Sequence, residues 1–373
     1  MRCFASFLVG MLLLVHCGVG EEGISSEDTQ TLPLDTLSIT SRLAIGAEAF
    51  DAEYGFTEVA SICHAPDSSI LVVDPRMANV RRFSSTGELL MQYGSRGEGP
   101  GELTEPRDVA VSSGGFVFVS GMRGLNVYSL ESGEWIVLDQ RYTLPRLLRL
   151  LGNRDSTFTA LHYNMDISEE QPLRRASYNL YRWTSPSGVS FWEDTSVADH
   201  SNSEYTRLCY YQPIAAADAD GNVYISGSTP SRIFIQKYSS GGNLLLTIDE
   251  EIDPVRLSEE EKRREVEYFE FFTSQLGMSI GYTPQDEWPL VTDLGVDVQG
   301  RIWARVGGAE PPLYRIFDQS GDLVCFVRIE GIPVQGWYLD VRISPWGIAA
   351  FPYDPAVEHI QVYLLNSPEW ESL

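Results

Sequence analysis

The sequence predicts an all-β fold, a six-bladed β-propeller with a short helical insertion after blade four. Three observations carry this. A strand, a glycine turn and a second strand with an aromatic recur, most clearly in DVAVSSGGFVFVSG from Asp108, PIAAADADGNVYISG from Pro213 and DLGVDVQGRIWARVGG from Asp293. Glycines ending such units (Gly87, Gly133, Gly188, Gly241) recur about every 50 residues, a repeat-protein period. Apolar residues alternate with period two almost throughout, and a helical period appears in one segment only. A repeated four-stranded unit cannot bury its own faces, so the copies must pack on one another, and radial closure removes exposed sheet edges.

The chain has 373 residues. Residues 1–20 read as an export signal: Arg2 supplies a positive start, and the apolar run Phe4 to Val15 is too short to span a bilayer. Leu14-Val15-His16-Cys17 resembles a bacterial lipobox, with His16 where a small residue is usual. Cys17 is therefore the candidate lipidation site, and ordinary cleavage after Gly18 or Gly20 is the alternative. Residues 21–38 are acidic and rich in Ser and Thr, a flexible lead-in. The propeller occupies 39–366 and a short tail 367–373.

Blade one is read from Ser69–Asp74, Asn79–Phe83 and Glu88–Tyr93, and blade two runs from Asp108 to Leu138. Blade three departs most from the repeat, with strands over Leu148–Leu151, Phe158–Leu161, Tyr178–Trp183 and Val189–Glu193. Blade four runs from Pro213 to Ile248 and blade five from Leu294 to Val327. Between them, Ser258 and Glu261 form a capping box, and Val266, Phe269, Phe272 and Leu276 mark one apolar face before Gly277. That predicts a helix of about 18 residues within an insertion over about 253–288. Blade six shows three strands, Leu339–Ile343, Gly347–Phe351 and His359–Leu364. Its fourth strand is expected from Thr36–Thr40 or Leu43–Ile45, joining the two ends of the ring.

Tyr93-Gly94-Ser95-Arg96-Gly97-Glu98-Gly99-Pro100-Gly101-Glu102-Leu103, followed by Pro106 and the strand from Asp108, resembles the NHL-type repeat. The chain is similar to exported and lipoprotein propellers of bacteria over roughly residues 40–366. The resemblance implies that the glycine loop links one blade to the next. A phosphate-loop reading fails because no GxxxxGK[ST] occurs and no long helix follows.

The formal charge is -25, with Lys237 and Lys262 as the only lysines, which argues against nucleic acid or anionic lipid as partners. Protein, peptide or glycan is the expected partner class, membrane contact would come only through the anchor, and the chain is expected to be an exported monomer. Cys63, Cys209 and Cys325 form no CxxC; Cys63 and Cys325 lie in strand-like apolar contexts and read as buried thiols, with one disulfide among the three as the alternative. His64, His162, His200 and His359 show no HExxH or close metal pair. A histidine-held zinc at the axis, as the resemblance to NHL-type lyases would imply, is the minor alternative. Asp218-Ala219-Asp220-Gly221-Asn222 resembles part of a calcium loop but is also what a hairpin turn needs. No cofactor is predicted. Arg76, Arg107 and Arg123 flank blade strands and are candidate binding residues for a carboxylate, with Tyr210, Tyr211 and Trp346 as aromatic contacts. No catalytic set emerges from spacing. The expected function is thus a non-catalytic binding or scaffold propeller, the alternative a metal-dependent lyase or hydrolase at the axial face.

Overall fold

The computed structural model describes residues 36–46, 55–140, 147–152, 154–166, 173–182, 189–197, 213–227, 231–275, 283–284, 286–307, 311–333, 338–353 and 360–370. Cys17, Tyr210, Tyr211, Cys209, His200 and His359 lie outside them.

The fold is all-β with one helix among the described residues. Four sheets are antiparallel meanders of four strands. The first holds β2 (Ser61–His64), β3 (Ile70–Asp74), β4 (Asn79–Phe83) and β5 (Leu89–Tyr93). The second holds β6 (Asp108–Val111), β7 (Phe116–Gly121), β8 (Gly124–Ser129) and β9 (Trp135–Asp139). The third holds β10 (Leu147–Gly152), β11 (Thr157–Asp166), β12 (Leu173–Arg182) and β13 (Val189–Val197). The fourth holds β14 (Ile214–Ala217), β15 (Val223–Ser226), β16 (Arg232–Tyr238) and β17 (Leu244–Glu251).

An eight-stranded sheet follows. One half is β18 (Val291–Val296), β19 (Ile302–Val306), β20 (Leu313–Phe317) and β21 (Leu323–Glu330). The other is β22 (Tyr338–Ser344), β23 (Gly347–Tyr353) and β24 (Val362–Leu365). Between the halves runs β1 (Thr36–Ile45). Thr36 to Thr40 pair in parallel with Phe326 to Glu330 of β21. Ser41 to Ile45 pair antiparallel with Leu365 to Val362 of β24. The two alternatives for the closing strand are therefore halves of one strand serving two partners.

The hairpins share one chemistry. A Ser or Asp starts a four-residue turn, and the glycine three residues on donates its N–H back to that residue's carbonyl. The pairs are Ser84–Gly87, Ser112–Gly115, Asp218–Gly221, Ser239–Gly242, Asp297–Gly300 and Asp318–Gly321, all at 2.8–3.1 Å. These glycines take φ of +74° to +93°, the left-handed region that costs other residues. At Asp218 the side chain also accepts from Asp220 N, Asn222 N, Asn222 Nδ2 and Tyr224 OH at 2.8–3.1 Å. That carboxylate is consumed in holding a turn, so the calcium-loop resemblance is a hairpin.

Sheets pack face to face. Leu71, Val73, Val80 and Tyr93 meet Val109, Val117, Val119 and Tyr128 of the next sheet. Ala110, Phe118 and Val127 meet Leu150, Phe158 and Ala160. Ile62, Ile70, Val72 and Phe83 of the first sheet meet Ala349, Phe351, Val362 and Leu364 of the last strands, with Ile45 among them. First and last sheets thus share a core, and the first strands β2, β6, β10, β14, β18 and β22 neighbour one another in that order.

The helix α1 spans Glu259–Gln275, between β17 and β18. Its capping box forms as the sequence predicts: Ser258 Oγ accepts from Glu261 N at 3.2 Å, and Glu261 Oε2 accepts from Ser258 N at 2.7 Å. Leu257 N to Asp286 O and Trp288 N to Val255 O hold the two ends of the insertion together at 2.9 and 2.8 Å. The side chains of Phe269 and Phe272 lie outside the described residues.

Ile39 is 2% exposed and sits in the core shared by β1, β21 and the last sheet. Ile39→Ala is expected to cost about 2–4 kcal/mol in urea unfolding, while Thr36→Ala on the exposed face of the same strand stays within about 0.5 kcal/mol.

Candidate axial site

The first strand of each unit ends in a hairpin, and counting back from it fixes a common register. His64↔Ile70, Val111↔Val117, Gly152↔Phe158, Ala217↔Val223, Val296↔Ile302 and Ile343↔Ile348 are equivalent pairs. Three residues earlier stand Ser61, Asp108, Arg149, Ile214, Asp293 and Asp340. Side chains alternate along a strand, so the residues two further on share their face: Cys63, Ala110, Leu151, Ala216, Gly295 and Arg342. Charged groups thus stand at equivalent register positions on four different first strands, and Asp108, Arg149 and Arg342 of these line a common cavity.

A cavity of about 80 Å³ lies there, lined by Cys63, His64, Asp108, Arg149, Arg342 and Trp346 among others. Asp108 is nearly buried and ties three neighbouring strands. Its Oδ1 accepts from Ser61 Oγ at 2.5 Å and from Val109 N at 3.0 Å, and its Oδ2 accepts from Leu150 N at 2.6 Å. Asp340 Oδ2 accepts from Arg342 at 3.1 Å. Asp293 Oδ2 accepts from Tyr314 OH at 2.8 Å. Arg149 has no hydrogen bond or ion pair within reach among the described residues, although it feels the charge of Asp293. A planar guanidinium with open donors beside a cavity suits a carboxylate or a developing oxyanion.

Burial sorts the titratable groups. Asp293 is raised above the ordinary carboxylate range by burial; Arg149 and Arg342 offset part of this, and Asp340 adds to it. The Cys63 thiol is pushed up to about 12, chiefly by burial, and donates to the His64 carbonyl at 3.2 Å. It is protonated at neutral pH and no nucleophile. His64, 4% exposed, is pushed down to about 4 by burial, with Arg42 adding to the effect. Its Nδ1 has no partner among the described residues, and its ring lies where a side chain on Gly347 would clash, at 2.7 Å.

The residues singled out from sequence fall elsewhere. Arg76 and Arg107 converge on one carboxylate, Glu58, at 3.3 and 3.8 Å, and Arg107 also pairs with Glu105 at 3.3 Å. Arg123 donates to the Glu98 carbonyl at 2.7 Å, bracing the glycine loop. None of the three lines the axial cavity; Trp346 does. His162 lies on β11, the second strand of its sheet, opposite Leu147, whereas His64 is on a first strand. Cys63 and Cys325 are free thiols, the second buried. Spacing alone did not reveal Asp293, Asp340, Arg149 or Arg342. A signal for three of the axial residues was present: Asp108-Val-Ala-Val, Asp293-Leu-Gly-Val and Asp340-Val-Arg-Ile repeat an aspartate at the head of the first strand.

No family model and no curated protein matches the sequence. Solved structures do match. A regucalcin from Agrobacterium tumefaciens strain C58, described as a calcium-binding protein, is 10% identical, with 88% of this chain and 95% of that one covered and a TM-score of 0.44. A protein from Xanthomonas campestris described as a gluconolactonase is 13% identical, with 84% and 89% covered and a TM-score of 0.43. A chain of the mitotic checkpoint complex is 12% identical, with 95% and 99% covered and a TM-score of 0.44. At such identities the likeness concerns the fold, an all-β propeller. The expectation of a non-catalytic binding or scaffold propeller is corrected here, because a structure of this kind is described as a gluconolactonase, an enzyme.

A calcium ion takes about six to eight oxygens. The axial carboxylates fall short of that set, each already has protein donors, and two guanidiniums stand among them. No group of three His, Cys, Asp or Glu has metal-binding geometry among the described residues. The donor set does not fit a divalent cation, and no step below is routed through one.

His64 is neutral when folded and titrates near 6.5 when unfolded. Its contribution is therefore complete above pH 6.5 and is lost as pH falls from 6.5 towards 4, by about 3 kcal/mol. The lowered carboxylates Asp67 and Asp318 act below this window, under their ordinary 3.8. Urea midpoints measured from pH 7 to 4 should fall for the native chain, and His64→Gln should flatten that slope.

Proposed function

We propose that this chain is a six-bladed propeller hydrolase that cleaves an ester or lactone at its axial face. The eight-stranded sheet is read as blades five and six joined by β1, and Gly94–Leu103 as an NHL-type inter-blade loop. The observation that carries the hydrolase reading is the open guanidinium of Arg149, which lines the cavity with Arg342 and lies close enough to Asp293 to offset its raised proton affinity.

Ester hydrolysis needs an oxyanion stabiliser, a base for water and an acid for the leaving alkoxide. Arg149 supplies donors where negative charge develops on the carbonyl oxygen. Asp340 is held by Arg342 through Oδ2 only, which leaves Oδ1 to take a proton from the attacking water. Asp293, raised by burial, keeps its proton to higher pH than an ordinary carboxyl and can pass it to the leaving oxygen. Water adds to the carbonyl carbon, the carbon–alkoxide bond breaks, and the products are a carboxylic acid and an alcohol. The acid is Asp293, whose proton burial retains, and the base is Asp340 through its open Oδ1.

Steady-state kinetics on δ-lactones and aryl acetates test this. Arg149→Gln is expected to lower kcat/KM by about 10²-fold, the loss typical of one oxyanion donor. The rate should fall as pH rises through the raised Asp293 titration, because the donated proton is then gone, and Asp293→Asn should remove that alkaline limb. Folded protein that turns over no ester or lactone, or an Arg149→Gln variant with native rates, sinks the reading.

A further inference from the structure

Among the described residues, two of the first strands break step with their partners. In β10, Leu147 pairs with His162 and Arg149 with Leu161, so Leu148 is an extra residue. In β18, Val291 pairs with Val306 and Asp293 with Arg305, so Thr292 is the extra one. The first strands β2, β6, β14 and β22 keep an unbroken register. A bulge bends its strand, increases the local twist and re-aims the side chain beside it. Each of the two bulges stands directly before a residue of the proposed chemistry, Arg149 in one strand and Asp293 in the other.

A bulge also interrupts the ladder, so it needs fastening. In β18, Thr292 Oγ1 donates to the Gly307 carbonyl at 2.7 Å. In β10 the fastening comes from the neighbouring sheet. Asp108 Oδ2 accepts from Leu150 N, the amide directly after Arg149, at 2.6 Å. Its Oδ1 accepts from Ser61 Oγ at 2.5 Å and from Val109 N at 3.0 Å. Three donors therefore occupy the two oxygens of a carboxylate that is 8% exposed, which ties it to the protein rather than to a substrate. Asp293 and Asp340, at the equivalent positions, take no such hold on a neighbouring first strand among the described residues; their hydrogen bonds go to Tyr314 and Arg342.

We infer that Asp108 is a positioning residue for Arg149. By gripping the amide after the bulge, it fixes the direction in which the guanidinium enters the cavity. Ser61 is the second part of the device, since its hydroxyl keeps the carboxylate turned toward Leu150. The kinetic consequence rests on the hydrolase reading; the placement of Arg149 does not.

Asp108→Asn replaces one acceptor oxygen with an amino group, which cannot accept from an amide or a hydroxyl. The Nε resonance of Arg149 in the full chain, assigned by its loss in Arg149→Gln, should shift or broaden in Asp108→Asn. Ser61→Ala, which changes no charge, should move the same resonance to a smaller extent, and it carries the test if Asp108→Asn does not fold. On aryl acetates, Asp108→Asn should lower kcat about ten-fold with KM little changed, the pattern of an interaction made only in the transition state. Added to Arg149→Gln, it should cost less than about two-fold more, because a residue acting through Arg149 then has nothing left to aim. An unmoved Arg149 resonance in the folded variants overturns the inference. So does a kinetic loss that is equal with and without Arg149. A moved resonance in a protein that turns over no ester leaves the positioning of Arg149 standing and removes the hydrolase reading alone.

Discussion

Strand β1 gives the hydrogen bonds of its first half to β21 and those of its second half to β24. That double pairing is what the remaining packing depends on. Without it β24 is left with an open edge, and the last strands could not present Ala349, Phe351 and Leu364 as one face to Ile62, Val72 and Phe83 of the first sheet. Ile39 and Ile45 are each nearly buried, in two different cores, so the strand contributes apolar area to both seams as well as backbone bonds. A repeat built from local meanders becomes a closed body through one long-range contact between the chain's beginning and its end. Such contacts carry a loop-closure cost that local hairpins do not.

Closure also places the axial chemistry. Each first strand is buried between neighbours, so its polar residues have two outcomes: satisfaction by adjacent backbone, or exposure to the axial cavity. Asp108 takes the first, holding Ser61, Val109 and Leu150 at 2.5–3.0 Å across three strands. Arg149 takes the second. Asp293 lies between them, with one hydroxyl donor and a raised proton affinity. Low polarity works differently on each group: it raises the proton affinity of Asp293, silences the Cys63 thiol and keeps His64 neutral.

The scaffold was legible because its determinants are local. Asp297–Gly300 and Asp318–Gly321 announce their turns within four residues, and Ser258 with Glu261 announces a helix within one turn. Even the closing strand was visible as a leftover pair of apolar segments. The axial group was not, because Asp108, Arg149, Asp293 and Asp340 lie tens to hundreds of positions apart and only the ring brings them together. The loop arginines stand out in the sequence instead, because they flank blade strands. Arg76 and Arg107 turn out to share Glu58, whose position before β2 offered no sequence hint of that contact.

The departure of the third unit from the repeat has an electrostatic consequence. Asp108, Asp293 and Asp340 occupy equivalent positions, and a further aspartate at the Arg149 position would make the axis strongly anionic in a chain of net charge -25. Arginine there leaves three carboxylates against Arg149 and Arg342, close to balance. The surface charge is screened beyond a Debye length of about 8 Å at physiological salt, so within the channel the local guanidinium dominates. On the proposed hydrolase reading, a neutral ester enters such a site without opposition and meets Arg149 only where charge develops.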